Sequence, residues 1–251
     1  FCPTALASVD NRLAGAYVLW PVSISVSDKR ISAAQSMDTM THPENQGQGI
    51  FINLANACYE IAENRGVQLL YGFPNQLSYP GFVRRLGWKH IGNITHWVRP
   101  IKPSLYRKAS PLKRVAGSIA ASLLPKGRLG DFEILFEPPS PNSLTPLLDN
   151  WHSEPQKIRV DRNLDWLRWR YAEETDNDYK WVSAYQSGEL RAVAVWGKQN
   201  NAWGRLADNR AHLVELLGGD PAALEAVLSG LYKLLCQEKV VLLETLSNVE
   251  R

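Results

Sequence analysis

The 251-residue sequence has few cysteines, no long apolar run and little excess of charge. Its three cysteines, Cys2, Cys58 and Cys236, are odd in number and far apart, so they favour neither a disulfide framework nor a zinc site and fit a reducing cytoplasm. No apolar run approaches the roughly 20 residues that a membrane-spanning helix needs. We therefore expect a cytoplasmic protein with no transmembrane segment and no metal.

The charge of the chain is nearly balanced, with 28 Lys and Arg residues, 25 Asp and Glu residues and a net charge of +3. A nucleic-acid surface normally shows as a basic face with a high pI, so we expect no nucleic-acid partner, whereas an anionic small molecule remains compatible. The length fits one large domain or two of ordinary size. The chain begins at Phe1 rather than at a methionine, so we expect a fragment, in which the lack of a signal peptide says little.

The first part of the chain begins with runs of β-branched and apolar residues that are broken by Asp10-Asn11 and Asp28-Lys29. Such runs predict strands joined by hairpin turns. The three predicted strands are Ala5–Val9, Gly15–Val26 and Arg30–Thr41.

From Phe51 the apolar residues recur at helical spacing, and Arg65-Gly66 predicts the end of this helix. Val67–Phe73 is then a short apolar run of the kind expected for a strand buried on both faces. The next predicted elements are a short helix, Ser78–Leu86, and a strand pair, Lys89–Ile91 with Thr95–Arg99.

The middle of the chain changes character, because eight prolines between Arg99 and Pro146 break it into short pieces. We interpret it as a connecting region around one strand candidate, Phe132–Phe136. An apolar piece, Val115–Leu124, follows four basic residues, which are Arg107, Lys108, Lys113 and Arg114. This piece suits either a membrane surface or a solvated connector that packs one short helix, and we favour the connector because its polar face carries few other charges.

The last part of the chain has its own order of elements. The patterns predict a helix over Leu164–Tyr171 (LDWLRWRY), a hairpin, a further short strand, a helix that begins at Asp220-Pro221, and a final strand. The predicted strands are Tyr179–Tyr185, Leu190–Trp196, Trp203–Leu206 and Val240–Leu246. Because this order repeats that of the first part, we infer a degenerate structural repeat without the glycines.

Between the third predicted strand and the first helix, Gln46-Gly47-Gln48-Gly49 places two glycines one residue apart. A helix N-terminus carries unpaired N–H groups and a partial positive charge, and glycines just before it let a phosphate approach the backbone closely. Taken alone, two such glycines more often form only a tight turn. The neighbouring motifs therefore decide the interpretation.

Several motifs agree with this turn in order and spacing. Gln46-x-x-Gly49 follows a strand and opens a helix, Asn75 follows the next strand, and Leu86-Gly87-Trp88 comes after it. The succession resembles the GNAT superfamily of acyl-CoA-dependent N-acyltransferases over roughly Ala5 to Arg99. The resemblance implies an α/β fold with a mixed, largely antiparallel sheet flanked by helices, here without the first strand and helices of the family.

The resemblance also implies which residues hold acetyl-CoA, the co-substrate. Backbone N–H groups of the turn would bind the coenzyme A pyrophosphate, and the edge of the preceding strand would hold the pantetheine arm. The implied cofactor-binding residues are Thr39, Met40, Thr41, Gln46, Gly47, Gln48, Gly49, Ile50, Phe51 and Asn75. The acetyl group would pass directly from the thioester to an amine through an oxyanion held by a backbone N–H, and no metal is needed.

Two positions depart from the family pattern. Phe51 stands where the family has a small residue, which narrows the turn but leaves the backbone N–H contacts possible when the ring points into the helix packing face. Val83 stands where the family has the tyrosine usually assigned to protonating the leaving thiolate. Tyr79, one helical turn earlier, can reach the same space and is our candidate acid. Such a tyrosine more commonly packs in the core or at its rim.

An acceptor amine must lose a proton before it attacks the thioester. Asp38, on the strand before the turn and on the opposite face from Met37 and Thr39, is the first candidate for this base. A surface aspartate, or one that stabilises a turn, is an equal alternative. For His42, which precedes a proline at the strand end, we expect a structural role.

The segment LDWLRWRY resembles one that opens the second module of bacterial tandem GNAT-like proteins, some of them encoded near surface-polysaccharide genes. No glycine turn precedes the helix at Ala222, and Asp220 would repel a phosphate there. We therefore expect a degenerate GNAT-like module that does not bind coenzyme A and shapes an acceptor cleft or a domain interface. The predicted domains are residues 1–100 and 147–251, with 101–146 connecting them.

The expected function is N-acyl transfer of an acetyl or short acyl group from acyl-CoA to a small-molecule amine, with an amino sugar as one candidate. Two other classes remain open. One is a catalytically silent GNAT-like binding module, which Val83 makes credible. The other is an aminoacyl transferase that uses charged tRNA on a related tandem fold and does not need Gly49. The sequence does not predict the oligomeric state.

Overall fold

The computed structural model describes residues 2–26, 29–105, 110–123, 127, 129–152, 158–171, 178–198 and 209–247 of the chain. The predicted strand Trp203–Leu206 lies outside these residues. The chain forms two compact units, one of Phe1–Gly92 with Glu154–Asp161 and the other of Asn93–Ser153 with Arg162–Arg251. The chain therefore crosses from one unit to the other at positions that differ from the predicted domain boundaries.

The strands of the described residues are β1 (Thr4–Val9), β2 (Arg12–Val26), β3 (Lys29–Thr41), β4 (Leu69–Gly72), β5 (Thr95–Pro100), β6 (Glu133–Leu135), β7 (Ile158–Val160), β8 (Tyr179–Gln186), β9 (Glu189–Lys198), β10 (Arg210–Gly218) and β11 (Leu242–Ser247). The α-helices are α1 (Ile50–Asn64), α2 (Pro111–Leu123), α3 (Pro141–His152), α4 (Leu164–Tyr171) and α5 (Pro221–Gln237). Short 3₁₀ turns lie at Pro43–Asn45 and Pro103–Leu105, and a π-helix at Gly81–Arg85.

The first unit is a sheet in the order β1-β2-β3-β4, with β7 paired to the end of β2. The first three strands are antiparallel, as predicted, and β4 is parallel to β3. Asp10 and Asn11 form the first hairpin turn with φ angles of 49° and 60°, which are the left-handed values that suit a two-residue hairpin. Helix α1 buries one face, which consists of Leu54, Ala55, Cys58 and Ala62.

Strand β3 carries an extra residue near its end. Val18 pairs with Met37 and Ala16 pairs with Met40, so β3 has one residue more than β2 between these two pairs. Asp38 lies in this bulge with a φ of 51°. A bulge bends the strand and interrupts the alternation of its side chains. The alternation from which we predicted the face of Asp38 is therefore broken at this residue.

Strand β4 is shorter and less buried than predicted. The run Val67–Phe73 forms a strand only over Leu69–Gly72, and the Leu69 side chain is 39% exposed. Because β4 is the last strand on its side of the sheet, one of its edges has no neighbouring strand among the described residues. The expectation of a strand buried on both faces is wrong.

The segment after β4 differs from the prediction in part. The predicted helix Ser78–Leu86 is present over residues 79–85, of which Gly81–Arg85 form a π-helix. The predicted strand pair is wrong, because Lys89–Ile91 forms no strand and β5 pairs with β11 in the second unit instead. Ile91 is 96% exposed, so 89–91 has no apolar face to bury, whereas β11 offers β5 a ladder along its whole length.

The second unit is a sheet in the order β5-β11-β10-β9-β8-β6, in which β10 and β11 are parallel and the other neighbours antiparallel. The predicted hairpin is β8 with β9, and it turns at Ser187-Gly188 with φ angles of 54° and 80°. Helix α5 packs against Val182, Ala194 and Trp196 on one face of the sheet. Helices α3 and α4 pack on the other face.

Prolines begin helices in the region that we interpreted as a connector. Pro111 and Pro141 are the first residues of α2 and α3, a position where the missing N–H costs no hydrogen bond. Because we treated these prolines as breaks, the sequence analysis missed α3, and it also missed β7 and β10. Residues 101–146 lie within the second compact unit.

The two units repeat one order of elements, which is three antiparallel strands, a helix, and a strand parallel to the third. The β3–β4 ladder ends at Ser36, two residues before Asp38 in its bulge. The β10–β11 ladder ends at His212, two residues before Val214, which is the extra residue of a bulge in β10. This repetition supports the proposal of a degenerate second module. Among the residues that the structure describes, no helix is long and apolar enough to cross a membrane.

Candidate functional site

The glycine turn joins β3 to α1 through two residues in the left-handed conformation. Gly47 and Gly49 have φ angles of 78° and 79°, a backbone that glycine adopts without steric cost. A Cβ atom built on either glycine meets nothing within 4 Å, so the turn is open on this side. Two side chains brace it from within, because Gln46 Nε2 donates to the Thr41 carbonyl at 3.4 Å and Gln48 Nε2 donates to the Glu44 carbonyl at 3.5 Å.

The N-terminus of α1 has no side-chain cap among the described residues. Gly49 is the N-cap residue, and its carbonyl accepts the first helical hydrogen bond, from Asn53 N–H at 3.0 Å. The N–H groups of Ile50, Phe51 and Ile52 therefore lie at an uncapped helix start, where the helix dipole favours an anion.

The corresponding helix of the second unit is closed to an anion. Asp220 Oδ1 accepts the Ala222 N–H at 2.9 Å, and Pro221 supplies no N–H at the first helical position. A carboxylate already occupies the place where a phosphate would bind. This geometry agrees with the expectation that the second unit does not bind coenzyme A.

The edge of β3 that leads to the turn is the second part of the site. The ladder between β3 and β4 runs from Ala33 to Ser36 on β3, and β3 then continues through Met37–Thr41. Over those last five residues, β3 has no ladder partner on the β4 side among the described residues. An extended ligand can hydrogen-bond to such an edge as an added strand does. Thr39, Met40 and Thr41, the residues that we expected to hold the pantetheine arm, lie on this edge, and Met40 is 44% exposed.

The Phe51 ring points into the core and leaves the turn open. It packs against Phe82 and Tyr17, with ring centroids 5.2 Å and 5.8 Å apart. A Cβ atom on Gly81 would lie 2.8 Å from the ring, so the π-helix comes very close to the first turn of α1. The bulky residue at this position therefore fills a packing site rather than the space outside the turn.

Asn75 caps the turn that follows β4. Its Oδ1 accepts the N–H groups of Leu77 and Ser78 at 3.0 Å and 2.9 Å and the Ser78 hydroxyl at 3.2 Å. The oxygen of this carboxamide is thus committed to local structure. Any contact of Asn75 with a cofactor would have to use the carboxamide nitrogen.

Tyr79, the predicted acid, pairs with a histidine that the sequence analysis missed. Its hydroxyl lies 3.2 Å from His90 Nδ1, and the two rings meet edge to face with centroids 5.7 Å apart. Tyr79 is 37% exposed, and Val83 lies one turn later in the π-helix. No pattern in the sequence links His90 to Tyr79, because the contact arises from the path of the loop after the π-helix.

Asp38 and His42 have different surroundings. The Asp38 side chain is exposed in the β3 bulge, so a proton can pass between it and solvent. His42 Nδ1 accepts the Glu44 N–H at 3.4 Å and thereby caps the short 3₁₀ turn Pro43–Asn45, which is the structural role that we expected.

A buried chain of hydroxyl groups lies beneath the site and was also missed. The Ser36 hydroxyl donates to Tyr17 Oη at 2.9 Å, Tyr17 and Tyr59 share a hydrogen bond of 3.0 Å, and Trp88 Nε1 donates to Tyr59 Oη at 2.9 Å. Burial raises the pKa of both tyrosines above its usual value, so they stay neutral at physiological pH. The chain joins β2, β3 and α1 to Trp88 at the point where β3 and β4 part.

Comparison with known proteins agrees with this geometry. Residues 2–91 match the family model of the acetyltransferase (GNAT) domain. The first unit of the chain therefore belongs to the GNAT superfamily. No curated protein matches the sequence significantly.

Solved structures resemble nearly the whole chain. A probable N-acyltransferase from Enterococcus faecalis V583 matches 97% of this chain and 54% of its own with 15% identity and a TM-score of 0.65. A GCN5-related N-acetyltransferase from Anabaena variabilis ATCC 29413 matches 98% and 56% with 11% identity and a TM-score of 0.65. Saccharomyces cerevisiae N-myristoyltransferase with bound myristoyl-CoA matches 94% and 61% with 11% identity and a TM-score of 0.63.

These likenesses show the fold, which is mixed α/β with largely antiparallel sheets flanked by helices, as predicted. The chain spans little more than half the length of these solved structures.

We predict that Asn75→Ala lowers the free energy of unfolding by about 0.5–2 kcal/mol, because two backbone N–H groups lose their acceptor. Asn75→Asp keeps a carboxylate oxygen at the same place and is the matched control, with little expected loss. Urea denaturation measures both changes. Equal stability of the alanine variant and the wild type would contradict the capping role.

Proposed function

We propose that this chain carries the acyl-CoA site of a GNAT acyltransferase and transfers an acetyl or short acyl group to an amine. The observation that carries the proposal is the uncapped start of α1 behind Gly47 and Gly49, next to the end of β3, which has no ladder partner on the β4 side among the described residues. The family match over residues 2–91 and the fold of acyltransferases support it. In the yeast N-myristoyltransferase structure the bound donor is myristoyl-CoA, which supports an acyl-CoA donor here.

In this proposal the N–H groups from Gln46 to Phe51 hold the pyrophosphate of acetyl-CoA. Unpaired N–H groups and the helix dipole together favour a phosphate, and the left-handed glycines let it come close. The pantetheine arm lies along Thr39, Met40 and Thr41 and bonds to the free strand edge. The carboxamide nitrogen of Asn75 faces the arm from the end of β4.

The proposed reaction is a direct transfer. Asp38 takes a proton from the ammonium form of the acceptor, and the neutral amine attacks the thioester carbonyl. A backbone N–H of β3 holds the oxyanion, and its collapse breaks the C–S bond. As the C–S bond breaks, the nitrogen releases its second proton to solvent and Tyr79 gives its hydroxyl proton to the departing thiolate. Tyr79 regains a proton from solvent through His90, so an amide and the free thiol of coenzyme A result.

The acceptor in this proposal is a small-molecule amine, with an amino sugar as one candidate. The thiols of Cys2, Cys58 and Cys236 are free, which suits the proposed location in a reducing cytoplasm. A catalytically silent module is the second candidate, and Val83 is the observation that favours it. The geometry of Gly47 and Gly49 argues against a transferase that uses charged tRNA, since such an enzyme has no need of an open phosphate turn.

We predict that Gly49→Glu weakens acetyl-CoA binding at least about tenfold, because its carboxylate would occupy the proposed phosphate position at the helix start. Gly66→Glu is the matched control. Gly66 has a φ of 75° against 79° for Gly49, has equally open space at its Cβ, and follows the other end of α1. Isothermal titration calorimetry should give near wild-type affinity for this control.

The melting temperatures of the two variants without acetyl-CoA show whether Gly49→Glu and Gly66→Glu strain the backbone equally. Undiminished acetyl-CoA binding by Gly49→Glu would contradict the assignment of the phosphate turn. Equal loss of binding in both variants would attribute the effect to strain in the backbone rather than to the phosphate position.

We predict that Tyr79→Phe lowers kcat about tenfold to a hundredfold while the KM for acetyl-CoA changes little, because the variant lacks the proton for the thiolate. The effect stays moderate because coenzyme A is a tolerable leaving group. Release of the thiol, followed with a panel of amines that includes amino sugars, measures the rate. Val83→Tyr in the Tyr79→Phe background should restore part of it.

An unchanged rate in Tyr79→Phe would remove this residue from the mechanism. Tight binding of acetyl-CoA by the wild type without thiol release for any amine in the panel would favour the silent module.

A further inference from the structure

Helix α2 exposes its large apolar side chains and buries its small ones. The exposed fractions are 79% for Leu112, 59% for Val115, 59% for Ile119 and 80% for Leu123. We call these four residues the α2 stripe. In an ordinary surface helix such residues face the core and the polar ones face water. The stripe therefore runs opposite to the usual pattern.

The residues of α2 that face the protein are small. Ala121 is 5% exposed, and Gly117 and Ser118 are half-buried. A Cβ atom on Gly117 would lie 3.1 Å from Pro103 Cβ, so the helix rests closely on the 3₁₀ turn Pro103–Leu105. At about 100° per residue, the α2 stripe spans an arc of roughly 80° on the side opposite to these small residues. Packing thus holds the helix with its apolar side outward.

The stretch of sequence that contains α2 is one-sided in charge, although the whole chain is nearly balanced. Residues 102–130 contain seven Lys or Arg residues and no Asp or Glu residue. Two of the seven, Lys113 and Arg114, lie on α2 itself beside the start of the stripe. An exposed apolar stripe together with Lys and Arg residues on the helix and in its flanking sequence is typical of a helix that lies in a membrane interface.

We propose that α2 docks this protein on an anionic lipid surface. The α2 stripe would enter the boundary between headgroups and acyl chains, and the basic residues would contact lipid phosphates, which attract cations near the surface. With 13 residues the helix is about 20 Å long, so it lies in the interface and does not cross it. This role is separate from acyl transfer and does not depend on it.

Other occupants fit less well. A second copy of the chain would bring two basic segments face to face, where like charges repel. A nucleic acid would use the basic residues but has no use for four aliphatic side chains. The sequence analysis favoured a solvated connector because the polar face carries few other charges. A connector that packs one short helix would bury the apolar residues, whereas the α2 stripe is exposed.

Flotation of the full 251-residue chain with lipid vesicles tests the proposal. We expect binding to phosphatidylcholine vesicles with about one third phosphatidylglycerol, weak binding to pure phosphatidylcholine, and a steep loss in high salt. Ile119→Glu should weaken binding to the anionic vesicles at least about tenfold, since a carboxylate enters the apolar and anionic interface. Ile91→Glu, the same change at an isoleucine that is 96% exposed outside α2, should leave it unchanged.

Leu112→Glu is a second stripe variant and should match Ile119→Glu, and circular dichroism checks that both fold as the wild type does. Equal loss in Ile119→Glu and Ile91→Glu, or equal flotation with neutral and anionic vesicles, overturns the proposal. The proposal is also overturned if the chain does not float with vesicles and instead self-associates in the ultracentrifuge, with loss of that self-association in Ile119→Glu. Absence of flotation together with retention on nucleic acid overturns it as well.

Discussion

The candidate site depends on the place where β3 and β4 stop pairing. The β3–β4 ladder ends at Ser36, and β3 continues for five residues towards the glycine turn, paired with β2 but without a ladder partner on the β4 side among the described residues. The hydroxyl chain from Ser36 through Tyr17 and Tyr59 to Trp88 lies at this point. Gly72, the last residue of β4, packs against the Trp88 ring, since a Cβ atom on Gly72 would lie 3.3 Å from it. Packing therefore holds open an edge that would otherwise be closed by backbone hydrogen bonds.

The second unit shows what the site needs beyond this geometry. Strand β10 also leaves its parallel neighbour and carries a bulge at the same distance from the end of the ladder. In α5, however, Pro221 has no N–H, and the Ala222 N–H is already bonded to Asp220. Both units thus have the same order of strands. The two units differ in the residues at the start of the helix, which are left-handed glycines at α1 and Asp220 with Pro221 at α5.

Sequence patterns predicted the features that depend on local chemistry. The strands β1 to β3, helix α1 and the hairpin of β8 and β9 follow from periodicity and turn residues, and the turn before α1 follows from Gly47 and Gly49. Features that depend on distant contacts were not predictable in the same way. The pairing of β5 with β11 joins residues about 150 positions apart, and His90 reaches Tyr79 only because of the path of an irregular loop. Exposure of the α2 stripe likewise cannot be read from an amphipathic pattern, which does not say which side faces the core.

The central claim is that backbone N–H groups at the start of α1 bind the phosphates of an acyl-CoA. Amide hydrogen exchange of the full chain, with and without acetyl-CoA, tests it most directly, because uncapped helix starts exchange quickly unless a ligand accepts their hydrogen bonds. The account predicts slower exchange at residues 46–52 when acetyl-CoA is bound and no change at 219–224, where Asp220 already caps α5. Unchanged exchange at 46–52 with saturating acetyl-CoA, or protection at the start of α5 instead, would contradict it.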